Sequence, residues 1–168
     1  MRWYSQDQVD RIIAAARTFV EASIAGKGSV TVDKVTHEPK IGGRCAQFVR
    51  EVCEAGLNLV EGGCPWKAGS ANEMAGHLRS LGYSVGDTGA LRPGDILWRP
   101  GGPYGHIAMY VGTDVPGHEG IEIIAENTSV RDRGVPRRPG TKYTRRGMYE
   151  GEFGRWREVF RLTKPEVD

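Results

Sequence analysis

Residues 42–53, GGRCAQFVREVC, form the stretch on which the interpretation of the whole chain depends. The glycine pair predicts a turn that delivers Cys45 to the first turn of a helix, and Gly56 is placed to end that helix. Unpaired N–H groups and the helix dipole favour a thiolate at such a position. The apolar residues that follow recur at the spacing of one buried helical face: Phe48, Val49, Val52 and Cys53.

The helix alone leaves two interpretations of Cys45 open. Most cysteines on an apolar helical face are small packing residues, whereas a nucleophilic thiol needs a special environment. The other two cysteines, Cys53 and Cys64, make the total odd and too small for a disulfide scaffold. Their spacing gives no Cys-x-x-Cys pair, so the sequence predicts neither a metal site nor another cofactor.

Length and composition predict one ordinary domain over residues 1–168, expected to be a monomer, and the order of the predicted elements given below makes it α+β. No apolar run is long enough to span a membrane. Arg2 and Asp7 interrupt the N-terminal region where a secretory signal would need a continuous apolar core. We therefore expect synthesis in the cytoplasm without a signal peptide.

The net charge of +2 conceals a basic segment at residues 131–161. This segment has ten Lys or Arg against four Asp or Glu, a local excess of +6. Such an excess is typical of a surface that faces an anionic envelope polymer, and equally of a solvated surface that promotes solubility. No recognisable nucleic-acid-binding module accompanies it, so nucleic acid is not a predicted partner.

Periodicity predicts helices first and an antiparallel sheet afterwards. A helix is expected over residues 5–25, and a Ser70-x-x-Glu73 capping box precedes another. Strands are expected at residues 96–99, 106–111, 121–127 and 156–162, with a long basic loop at 128–147. Alternation places His106 on one face of its strand beside the small Ala108.

A cysteine at a helix start, a histidine opening a strand and a polar residue on the next strand suggest nucleophilic catalysis. Such catalysis needs a thiol, an imidazole that takes and returns its proton, and a group that orients the ring. Asn127 is the first candidate for that group because it lies on the more apolar face of its strand, and Glu126 is the alternative. Backbone N–H groups at the helix start could stabilise an oxyanion.

Four blocks resemble those of the NlpC-type and CHAP (cysteine, histidine-dependent amidohydrolase/peptidase) cell-wall hydrolases. They are CAQFV at 45–49, RPGDILW at 92–98, GHIAMYVG at 105–112 and AENT at 125–128. The resemblance implies a papain-like fold, with N-terminal helices packed on a mainly antiparallel sheet. It also implies that Cys45 is the nucleophile, His106 the general base and acid, and Asn127, or alternatively Glu126, the orienting residue.

The same resemblance implies hydrolysis of peptidoglycan, by an endopeptidase or an N-acetylmuramoyl-L-alanine amidase. A phage or prophage lysin, or a tail-associated lytic enzyme, is the kind of protein expected, acting at the cell wall after release or export. Arg44 departs from the pattern, since Asp or Gln is expected there. The alternative function is therefore a non-catalytic envelope-binding or virion structural module of the same fold.

Overall fold

The computed structural model describes residues 3–38, 45–86, 90–127, 143–149 and 152–165. Within these ranges the chain is α+β, with three α-helices, a two-stranded hairpin and a six-stranded antiparallel sheet. The predicted α+β class with an antiparallel sheet is therefore confirmed. The helices are α1 (Gln6–Ile24), α2 (Cys45–Leu57) and α3 (Ala71–Ser80), with a short 3-10 turn at Glu152–Arg155.

The strands pair antiparallel with their neighbours in both sheets. The hairpin consists of β1 (Val30–Val32) and β2 (Val35–His37). The main sheet, taken across its strands, has the order β3 (Ser84–Gly86), β8 (Glu158–Phe160), β4 (Ile96–Arg99), β5 (His106–Gly112), β6 (Ile123–Asn127) and β7 (Tyr143–Gly147). Strands β4, β5 and β6 thus lie at its centre, and the candidate residues of β5 and β6 are neighbours.

The two faces of the sheet carry different clusters, as the predicted alternation requires. The inner face, with Ile107 and Met109 of β5, packs on α1 and α2 in the main core. The outer face carries a smaller cluster formed by Leu97, Ala108, Tyr110, Ile124, Trp156 and Val159. His106 shares its parity with Ala108 and so belongs to the outer face.

Helices α1 and α2 approach closely at Gly56. A Cβ built on this buried glycine would lie 2.5 Å from the Ile12 Cα and 2.6 Å from the Ile12 backbone nitrogen. The prediction that Gly56 ends the helix is wrong, because α2 continues to Leu57 and Asn58 then adopts a φ of 55°. The glycine is required by interhelical packing, and Asn58 supplies the left-handed residue that ends the helix.

The predicted loop at 128–147 is wrong at its end, where Tyr143–Gly147 forms the edge strand β7. The Tyr143 side chain is buried against Phe48 at a ring-centroid distance of 4.7 Å. The rest of that segment, and the predicted turn at residues 42–44, lie outside the described residues. None of the described helices is both long and apolar enough to cross a membrane.

Candidate active site

Cys45 is the first residue of α2, and its half-buried thiol forms a hydrogen bond with the imidazole of His106. The backbone N–H groups of Ala46 and Ile107 also contribute hydrogen bonds to the sulfur. The helix start and the opening of β5 therefore meet at one point. A thiol surrounded by hydrogen-bond donors is favoured as a thiolate.

The other side of the imidazole contacts Glu126. His106 Nε2 lies 2.6 Å from Glu126 Oε2, and the two side chains are only 17% and 4% exposed. Because Nε2 faces the carboxylate, Nδ1 is the ring nitrogen left for the thiol. The result is a continuous connection from Cys45 through His106 to Glu126.

The strand register explains why Glu126 reaches the imidazole. Met109 of β5 pairs with Ala125 of β6, which places Ala108 opposite Glu126 and makes Glu126 a diagonal neighbour of His106 on the outer face. The small Ala108 leaves space for this contact. Asn127, the first-ranked orienting residue, lies on the other face of β6 and is buried. The residue that contacts the His106 imidazole is thus Glu126, the alternative candidate.

Glu126 is itself held by an arginine that the sequence interpretation missed. Arg146 of β7 donates from Nε to Glu126 Oε1 at 2.9 Å. The same guanidinium binds both carboxylate oxygens of the fully buried Glu152, at 2.5 and 2.9 Å. Glu152 also accepts from Trp156 Nε1 at 3.2 Å. The sequence gives no signal for these contacts, because Arg146 lies in a basic segment that is predicted to be a loop.

The charges of the three central groups are coupled through these contacts. Burial would raise the pKa of Cys45, but the hydrogen bond and charge of His106 outweigh it and lower the pKa. Burial would lower the pKa of His106, but its hydrogen bonds with Cys45 and Glu126 raise the pKa to about 9. Burial likewise opposes ionisation of Glu126, yet His106 and Arg146 lower its pKa. These shifts all favour a thiolate–imidazolium pair beside an ionised carboxylate.

The other two cysteines have a different environment. Cys53 and Cys64 are both buried, and desolvation is the main cause that raises their pKa, to about 12 for Cys64. Neither thiol is therefore suited to nucleophilic attack at neutral pH. Within the part of the chain that the structure describes, no group of three His, Cys, Asp or Glu residues could hold a metal ion.

The chain just before His106 is fixed by helix α3. The Asn72 backbone N–H donates to the Tyr104 carbonyl at 2.9 Å, and its side-chain oxygen accepts from Trp98 Nε1 at 3.1 Å. Gly105 has a φ of +72°, and the Asn72 amide occupies the place where its Cβ would be. A larger residue at 105 would therefore displace the support of the histidine.

Comparison of the chain with models of known protein families gives no match, and a search of curated proteins gives none either. These comparisons identify no family for the chain, and the chemistry is inferred from the site itself.

Proposed function

We propose that this protein is a thiol-dependent hydrolase of amide bonds in bacterial peptidoglycan. The observation that carries the proposal is the connected set of Cys45, His106 and Glu126, with a lowered pKa at the thiol and a raised pKa at the imidazole. Nucleophile, acid–base group and orienting group are the three components that acyl transfer through a thioester needs. A buried packing cysteine would need none of them.

In the proposed mechanism the Cys45 thiolate attacks the scissile carbonyl and forms a C–S bond. The resulting oxyanion would be stabilised by N–H groups at the start of α2. His106, as imidazolium, then protonates the leaving amine as the C–N bond breaks, leaving a thioester. The neutral imidazole next takes a proton from water, which attacks the thioester and releases the carboxylic acid and the thiol. Glu126 keeps the ring oriented and stabilises its charge throughout.

The substrate class in this proposal comes from the resemblance to NlpC-type and CHAP hydrolases, which also supports a papain-like fold. We propose an endopeptidase or N-acetylmuramoyl-L-alanine amidase that acts at the cell wall, as a lysin or tail-associated enzyme does. Support for an anionic envelope polymer as a second partner is reduced. Arg145, Arg146 and Arg161, from the basic segment, form ion pairs with acidic residues of the protein itself.

The test is mass spectrometry of the products released from purified peptidoglycan. Wild type should release new amine ends, and Cys45→Ala or prior alkylation should abolish release while circular dichroism remains unchanged. Cys53→Ala is the matched control, because it removes a thiol that is buried away from His106. Retained hydrolysis by Cys45→Ala would refute the proposal. Pelleting with walls but no release by wild type would instead favour the non-catalytic binding module.

A further inference from the structure

An arginine lies beside His106 on the outer face of the sheet. Arg99 of β4 pairs directly with His106 of β5, and residues directly opposite one another on antiparallel strands share a face. Arg157, just before β8, is not part of this pairing, because its N–H donates to the Trp98 carbonyl at 2.8 Å, one residue out of step with the pairing of Trp98 and Glu158.

Arg99 has no acidic partner among the residues that the structure describes. Other arginines of the protein do have one: Arg17 pairs with Asp114, Arg79 with Glu158 and Arg161 with Asp95. Like charges directly opposite one another on neighbouring strands destabilise a sheet. An unpaired cation opposite the imidazolium is therefore a stability cost that a bound anion would remove.

Arg99 is also oriented by its surroundings. The Cζ atom of its guanidinium lies 5.2 Å from the centroid of the Trp156 ring. The imidazole of His106 packs on the same ring, with the two ring centroids 5.9 Å apart. The indole is in turn fixed by its hydrogen bond to the buried Glu152. An arginine held in this way has lost much of its side-chain freedom, and its planar fork of N–H donors matches the geometry of a carboxylate.

We propose that Arg99 forms a carboxylate-binding site that selects substrates with a free carboxylate close to the scissile amide. This inference rests on the proposed function, because it takes Cys45 and His106 as the reacting pair. A carboxamide at the same position of a stem peptide has the same shape but no charge. The site therefore distinguishes free from amidated peptides through the charge of Arg99 next to His106.

The first experiment measures this selectivity without any peptidoglycan. Iodoacetate and iodoacetamide both alkylate the Cys45 thiolate, with formation of a C–S bond and loss of iodide, but only iodoacetate has a negative charge. We expect the ratio of their rate constants to fall about three- to fivefold in Arg99→Met, the effect of one partly exposed ion pair. Arg99→Lys should retain most of the ratio because it keeps the charge.

Arg11→Met is the matched control. It also removes one positive charge, but Arg11 is exposed on α1, which packs on the inner face of the sheet. Its ratio should equal that of wild type. An unchanged ratio in Arg99→Met, with normal alkylation of Cys45, would overturn the carboxylate site and leave the thiol hydrolase intact. Failure of Cys45 to react with either reagent would overturn both proposals.

The second experiment uses stem peptides that differ only in one free or amidated carboxylate. Wild type should hydrolyse the free form with a KM about three- to fivefold lower, and Arg99→Met should remove this difference with little change in kcat. Equal KM values for the two peptides in wild type, despite hydrolysis of both, would refute the site. A loss of kcat alone would also refute it, because such a loss would indicate that Arg99 only supports His106.

Discussion

Replacement of Glu126 by Gln tests the central connection of the site most directly. The change keeps the shape of the side chain but removes its charge. The pKa of His106 stands at about 9 rather than 6.5, so the causes that raise it exceed the opposing effect of burial by about 3 kcal/mol. These causes are divided between Cys45 and Glu126. Loss of the carboxylate charge should therefore cost the imidazolium about 1–2 kcal/mol, roughly a 5- to 30-fold change in its population.

The assay is the rate of iodoacetamide alkylation of Cys45 as a function of pH. In wild type the imidazolium stabilises the thiolate and lowers the pKa of Cys45, so alkylation should begin at a lower pH than for an ordinary cysteine. In Glu126→Gln the imidazolium is less populated, and the profile should move to higher pH. Asn127→Ala is the comparison, because Asn127 lies on the opposite face of β6. The reasoning is refuted if Glu126→Gln leaves the profile unchanged, or if Asn127→Ala moves it equally.

Three further predictions follow from the same contacts. Arg146→Met leaves the buried Glu152 without its cation and Glu126 with only the imidazolium of His106, so urea unfolding should reveal a loss of about 3–5 kcal/mol and the Cys45 profile should move to higher pH. Arg145→Met, whose partner Glu21 is exposed, should cost under about 1 kcal/mol. Gly56→Ala should lower the free energy of unfolding by about 1–3 kcal/mol, because the added Cβ meets the backbone of α1. Alanine has the better helix propensity, by about 1 kcal/mol, so a gain in stability would contradict the close approach of the two helices. The rate of hydrolysis should decline as pH rises through about 9, where His106 loses the proton that it gives to the leaving amine. A decline at a pH unrelated to the pKa of His106 would exclude His106 as the general acid.

The elements with clear periodicity could be predicted from the sequence. Helix α1 has an uninterrupted apolar stripe and a capping box between Ser5 and Gln8, and the faces of β5 follow from simple alternation. The sequence could not indicate β7, because its residues YTRRG contain one apolar side chain and two arginines. Arg146 looks like a solvent-exposed residue in the sequence. Its partners Glu126 and Glu152 come from other parts of the chain, and only the folded sheet brings them together.

The choice between Glu126 and Asn127 depends on a single irregularity of strand pairing. Near the end of β5, Gly112 pairs with Ile123, whereas Tyr110 pairs with Ile124, so one extra residue of β5 is accommodated between them. If the register at Gly112 continued without this bulge, Ala108 would lie opposite Asn127 and the amide would share the face of His106. The bulge moves the pairing by one residue, and Glu126 takes that place instead. Gly112, with its φ of +106°, allows the backbone to make this shift. The identity of the orienting group therefore depends on a glycine six residues from the histidine. Side-chain alternation within one strand could not predict this, because it does not reveal how that strand pairs with its neighbour.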